Sequence, residues 1–168
     1  LGLVDDGTTV TDYDDEEIAR KHTLSASLAY AEWNKTKINL IDTPGRADFL
    51  GQAIACMSAV ETVAVVIDLT RGVESTTRRL MSIAGERGIP RMIIINKIDE
   101  SQVNLEELTG KIREALGSVC VPINLPAAGR ESVVNVFDSH DDDAATEFSS
   151  VADAHTAIVE QVVEVDEA

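Results

Sequence analysis

Residues 91–99 read Arg91-Met92-Ile93-Ile94-Ile95-Asn96-Lys97-Ile98-Asp99, an apolar run that breaks abruptly into an amide, a cation and a carboxylate. A short, Ile-rich run of this kind predicts a strand over 91–96 covered on both faces, as in a parallel sheet between layers of helix. Residues 63–69 form a second run of the same type, and between the two, residues 74–88 carry helical spacing and close on Gly88. Residues 105–116 are amphipathic at helical period, and 119–125 read as a further short strand. This alternation predicts an α/β fold of the doubly wound type with a mostly parallel sheet.

Toward the N-terminus, residues 48–60 predict a helix. Residues 26–33 and 37–41 alternate in a strand-like way around Asn34-Lys35-Thr36, which predicts a hairpin. Residues 1–15 are rich in Asp, Thr and Gly, and 16–20 turn helix-like. Toward the C-terminus the pattern changes beyond Pro126: a strand over 132–137, an acidic loop over 139–150 and an exposed helix over 151–165. Two parts are therefore expected, 1–125 and an acidic subdomain beginning at 126–168.

Fourteen basic residues face thirty acidic ones, a net charge of −16. Such a surface repels a polyphosphate backbone and argues against direct nucleic-acid binding. Residues 131–168 hold eleven acidic residues and no Lys or Arg, so a protein partner there should be basic. Cys56 and Cys120 sit in apolar stretches without metal-ligand spacing and read as reduced, buried thiols. No apolar run approaches membrane-spanning length and no leader pattern opens the chain, so no membrane partner is expected and the cytoplasm is the expected compartment. His140 beside Asp141-Asp142-Asp143 reads as a solvated acidic loop, and Trp33 as packing.

Two motifs carry chemistry. Asp42-Thr43-Pro44-Gly45-Arg46 follows a strand and precedes a helix, at the carboxyl end where open α/β sheets bind ligands. A carboxylate there suits hydrated Mg²⁺, and Gly45 lets backbone N–H approach a phosphate. The second, Asn96-Lys97-Ile98-Asp99, also ends a strand. The Asp99 carboxylate can accept two parallel hydrogen bonds from the ring N–H and exocyclic amine of guanine, a donor pair that adenine lacks. The Lys97 stem can cover the base plane and the Asn96 amide can tie the loop. Either string alone is weak. Their order, with one strand-and-helix unit between them, makes GTP with Mg²⁺ the expected ligand.

Asp42-Thr43-Pro44-Gly45-Arg46-Ala47-Asp48-Phe49 and Asn96-Lys97-Ile98-Asp99 resemble the third and fourth motifs of the translational GTPases, most closely elongation factor G and its second, paralogous type. Asp6-Gly7-Thr8-Thr9-Val10-Thr11-Asp12-Tyr13 resembles the start of that family's first switch. Gly88-Ile89-Pro90-Arg91 and Asn124-Leu125-Pro126-Ala127-Ala128-Gly129 resemble further family stretches. The resemblance implies a P-loop NTPase-like fold and a ribosome-dependent GTPase that drives translocation in protein synthesis. It implies Mg²⁺ contacts at Thr23 and Asp42, nucleotide contacts along Asp42, Thr43, Pro44, Gly45 and Arg46, and guanine contacts along Asn96, Lys97, Ile98 and Asp99. A ribosomal-protection or release-factor type shares these motifs.

Three departures stand out. No G-x-x-x-x-G-K-[ST] occurs, so the phosphate cradle and its strand are expected to lie in a longer protein from which this chain is cut. The isolated chain is accordingly expected to show no GTPase activity and weak or absent GTP binding. The family's late guanine-contacting loop is likewise expected beyond the chain. Arg46 stands where the family carries a His that positions the attacking water, and a guanidinium is a permanent cation with donors only. A GTP-binding regulator with impaired hydrolysis is therefore a further reading, and the acidic segment docking a basic ribosomal stalk protein is another.

Overall fold

The computed structural model describes residues 2–3, 6–99, 103–138 and 143–166. In chain order it contains α1 (Asp15–Arg20), β1 (Ser27–Trp33), β2 (Thr36–Asp42), α2 (Leu50–Cys56), β3 (Val63–Asp68), α3 (Ser75–Glu86), β4 (Arg91–Asn96), α4 (Leu105–Leu116), β5 (Asn124–Pro126), β6 (Val133–Asn135) and α5 (Val151–Asp166). Short 3₁₀ turns at Ala47–Phe49 and Met57–Ala59 flank α2, so the single helix expected over 48–60 is broken at both ends. The chain divides into two compact units, one of residues 1–64 with 79–92, the other of residues 65–78 with 93–168.

In the first unit β1 and β2 pair antiparallel, with Ser27 opposite Asp42 and Trp33 opposite Thr36. The loop between them is two residues long, and Asn34 and Lys35 both take left-handed φ values of 48° and 62°. That is the turn whose twist matches a hairpin. The core of this unit is Met57, Ile83 and Ala84, with Ile54, Leu80 and Ile89 packed against it. Arg87 Nη1 donates to the Ile54 carbonyl at 2.9 Å.

The strands β3 and β4 form a two-stranded sheet. The Val63 N–H donates to Pro90 O and the Leu69 N–H to Asn96 O, so partners rise together along both strands and the pair is parallel. Their carboxyl ends therefore coincide. Continuous apolar runs predicted cover on both faces, but only one is covered: Val65 and Ile67 are buried while Val66, Met92 and Ile94 are about half exposed. On the covered side Ile67 and Leu69 pack with Leu105, Leu108 and Ile112, the i, i+3, i+7 stripe of α4. Asn104 caps that helix by accepting from the Glu107 N–H at 3.1 Å.

Among the described residues the strands form three separate pairs, so the sheet is less extensive than a doubly wound one. The strand expected over 119–125 is largely absent: only Asn124–Pro126 is extended, and it pairs antiparallel with β6. Pro122 has no N–H to give a ladder, and the Cys120 carbonyl is taken by Arg113 Nε at 3.0 Å. The helix α5, expected to be exposed, buries Val151, Ala154 and Ile158, the last two beside Leu125 and Val136. Both cysteines, expected to be buried, are only partly buried. Among the described residues no helix is long and apolar enough to cross a membrane. His140, Asp141 and Asp142 lie outside the described residues.

Candidate functional site

The site residues read from sequence fall in different units, with Thr23 and 42–46 in the first and 96–99 in the second.

In the first unit, α1 opens with a reciprocal capping box. The Asp14 side chain accepts from the Glu16 N–H at 2.9 Å, and Glu17 Oε2 accepts from the Asp14 N–H at 3.3 Å. Glu17 is nearly fully buried, and its other oxygen accepts from the N–H groups of Leu24 and Ser25 at 2.8 and 2.9 Å. Those two bonds are the main reason its carboxyl stays below the usual range despite burial, which pulls the other way. Gln52 on α2 holds the same segment from another side, accepting from the Ala26 N–H at 2.9 Å and donating to the Leu24 carbonyl at 3.0 Å. Thr23 thus sits at the edge of a firmly tied loop. Its hydroxyl donates to Asp12 Oδ1 at 2.8 Å, while Asp12 Oδ2 accepts from the Thr9 hydroxyl at 2.9 Å. Lys21 ends α1 at φ 55°, in the left-handed conformation common at a helix C-terminus.

Glu17 provides a prediction. Its folded pKa is depressed, so its contribution is full above the unfolded value of about 4.3 and is lost as pH falls through the folded one. Glu17→Gln removes the charge from these bonds, and charge-assisted bonds are about twice as strong as neutral ones. Exchange of the Leu24 and Ser25 amides should then quicken about tenfold at neutral pH. In the unaltered chain the same protection should fade only on acidification below pH ~4.3. Equal protection in both proteins at pH 7 would contradict this role.

Asp42 is the last residue of β2 and stands opposite Ser27. The Ser27 hydroxyl is buried and, among the described residues, has no hydrogen-bond partner. Pro44 is buried, whereas Gly45 and Arg46 are exposed. A Cβ added at Gly45 would meet no atom within 4 Å, so the space beside this backbone is open to a ligand. Arg46 precedes the Ala47–Phe49 turn in extended conformation and makes no capping bond with its side chain. A carboxylate, a hydroxyl and an open backbone are hard oxygen donors and an anion approach, a set that fits Mg²⁺ and phosphate. Among the described residues no cluster of three or more His, Cys, Asp or Glu could hold a metal by itself.

In the second unit Asn96 ends β4 and its Oδ1 accepts from the Lys97 N–H at 2.9 Å, with Lys97 at φ 61°. Lys97 Nζ pairs with Asp68 Oδ2 at 2.7 Å. The other oxygen of Asp68 accepts from the Thr70 N–H at 2.8 Å and the Thr70 hydroxyl at 2.6 Å. The Lys97 bond, followed by those from Thr70, holds the Asp68 carboxyl far below the usual carboxylate range. Asp99 is exposed one residue beyond the partly buried Ile98. Asp68 and Thr70 were not singled out from sequence. The available signal was the parallel register of β3 and β4, which brings Asp68 and Lys97 to the same sheet end.

Residues 2–166 match the family described as the elongation factor Tu GTP binding domain. The chain belongs to that family. It is 36% identical over 138 residues to the mitochondrial ribosome-releasing factor 2 of Drosophila willistoni, covering 82% of this chain and 19% of that protein. It is 35% identical over 132 residues to elongation factor G of Dehalococcoides mccartyi, covering 79% and 19%. It is 34% identical over 126 residues to an elongation factor G-like protein of Mycobacterium tuberculosis, covering 75% and 18%. A crystal structure of a Thermus thermophilus protein superposes with a TM-score of 0.84 at 27% identity, covering 99% of this chain and 27% of that one. The chain thus spans about a fifth of the length of the curated relatives it matches. Membership of a GTP-binding domain family makes this a guanine-nucleotide-binding type of chain.

Proposed function

We propose that this chain supplies the γ-phosphate-sensing and guanine-reading segments of a ribosome-dependent translational GTPase of the elongation factor G type. The observation that carries the reading is the Asn96–Asp99 motif at the carboxyl end of a parallel strand, with its lysine anchored on Asp68. Asp99 binds the guanine donor pair. The stem of Lys97 covers the base while its ammonium stays with Asp68, and Asn96 holds the turn through the Lys97 N–H. Thr43, Pro44 and Ile98 complete the two nucleotide-contacting segments. Asp42 and Thr23 are the oxygens offered to Mg²⁺, which when bound would neutralise phosphate charge. Thr23 reaches it with lone pairs left over from its bond to Asp12. Gly45 senses the terminal phosphate through its N–H.

The whole protein would act in the cytoplasm on the ribosome. Residues 126–168 would begin an inserted acidic subdomain suited to a basic partner such as a ribosomal stalk protein. The whole protein's work on the ribosome would be to promote translocation; a releasing role is the alternative reading, supported by the similarity to ribosome-releasing factor 2.

The test is a titration of fluorescent GTP and ATP onto this 168-residue chain and onto the full-length protein. Full-length protein should bind GTP at least ~100-fold tighter than ATP, because the mismatched base leaves Asp99 unpaired. The short chain should bind GTP weakly, lacking G-x-x-x-x-G-K-[ST]. Equal affinity for the two nucleotides would sink the guanine reading. Tight GTP binding by the short chain would show that the phosphates are held some other way.

A further inference from the structure

We propose that Arg130 is a positioning residue for guanine recognition, holding the backbone that leads into Asp99; this rests on the guanine-binding reading above. Arg130 lies in the turn between β5 and β6, where the Ala127 N–H donates to Ser132 O and the Arg130 N–H to Ala127 O, each at 2.9 Å. Its φ is 60°, a left-handed value that a residue with a Cβ adopts at a cost. Its side chain is only 12% exposed, unusual for a charged residue on a turn.

The guanidinium goes to backbone carbonyls. Nη1 donates to Ile98 O at 3.3 Å and Nη2 to Val103 O at 2.9 Å. The Ile98 carbonyl belongs to the peptide unit whose nitrogen is that of Asp99. Holding this oxygen holds the peptide plane that contains the Asp99 nitrogen and Cα, and so sets where the Asp99 side chain starts. The bond to Val103 ties the same guanidinium to the residue just before the Asn104 cap of α4. Glu147 sets the guanidinium in turn: its Oε2 lies 3.4 Å from Nη2, and its Oε1 accepts from the Gly129 N–H at 3.1 Å. A planar fork serves two carbonyls and a carboxylate at once, which an ammonium on a flexible stem cannot do. Arg130 and Glu147 thereby bear on base selection through the backbone at Ile98.

Inosine diphosphate isolates the effect, because it keeps the guanine ring N–H and lacks only the exocyclic amine. Equilibrium dissociation constants for GDP and inosine diphosphate would be measured on the full-length protein, unaltered and as R130A, R130K and E147Q. The unaltered protein should prefer GDP by about tenfold or more, the worth of one charge-assisted hydrogen bond. R130A should weaken GDP about tenfold and inosine diphosphate about threefold or less, so the preference collapses. R130K, which can serve one carbonyl, should keep an intermediate preference, and E147Q should shift it the same way by less. A residue that merely stabilises the fold would lower both affinities by one factor, because only the competent fraction changes. An unchanged ratio in R130A and R130K would overturn the proposal, and R130K decides alone if R130A does not fold. Absence of any GDP preference in the unaltered protein would instead overturn the guanine reading itself.

Discussion

Asp99→Asn should exchange guanine for xanthine as the preferred base. An ionised carboxylate has acceptors only, and guanine meets it with two donors, the ring N–H and the exocyclic amine. The asparagine amide would set a donor against that amine, leaving two N–H groups facing each other. Xanthine carries a carbonyl where guanine carries the amine, so the same amide would accept from the ring N–H and donate to that carbonyl. Loss of two charge-assisted bonds is worth about 3–4 kcal/mol, or ~10²–10³-fold in affinity. The full-length variant should lose GTP by that factor and gain XTP by a similar one, read by competition with a fluorescent nucleotide. Asp99 is exposed and its neighbours Asn96 and Lys97 are tied to the backbone and to Asp68, so the substitution leaves the turn intact. Parallel losses of GTP and XTP would mean that Asp99 supports the loop instead of reading the base.

What the sequence disclosed was mostly local. The stripe Leu105, Leu108, Ile112 repeats at helical period and marks α4 to the residue. The hairpin followed from alternation around Asn34-Lys35-Thr36, although Thr36 already pairs with Trp33 and only Asn34 and Lys35 make the turn. The failed strand over 119–125 shows the limit of an apolar run as a signal, since Pro122 and the Arg113–Cys120 bond remove ladder partners that hydropathy does not count. Glu17 was half legible. The Asp14-x-x-Glu17 pattern announces a capping box, but the second task of that carboxylate, holding the amides of Leu24 and Ser25, depends on the chain folding back.

The rest of the candidate site was tertiary. Lys97 and Asp68 are 29 residues apart and meet only because β3 and β4 run parallel side by side. Arg130 lies 32 residues from Ile98 and 27 from Val103, with a helix and a strand between. A motif names the residues that touch a ligand because their spacing is fixed by local backbone. Residues that aim them come from anywhere in the chain, and no spacing reveals them. The phosphate-facing half follows the same rule: Asp42 is placed by its pairing opposite Ser27, and Thr23 is oriented by Asp12, 11 residues away.

Arg46→His should raise ribosome-stimulated GTP hydrolysis by about 10²-fold, at the low end of what a positioned acid–base group contributes. Arg46 is exposed, directly follows Gly45 and makes no capping bond, so the change disturbs no contact that holds the switch. A neutral imidazole has a nitrogen that can accept a water's proton, whereas the guanidinium has donors only and stays charged throughout the accessible range. The histidine variant should therefore gain activity as pH rises through about 6.5, where the ring loses its proton, while the arginine protein stays flat across that window. GTP affinity should remain within about twofold, because the guanine-reading residues are untouched. Arg46→Ala separates the competing role. If the guanidinium instead neutralises charge in the transition state, as an arginine finger does, alanine and histidine would both lower turnover. If Arg46 blocks water positioning, alanine would leave the slow rate nearly unchanged and histidine alone would raise it. Turnover unaltered by histidine at a pH of about 7.5, where the ring is neutral, would remove the reason to treat position 46 as the limit on hydrolysis.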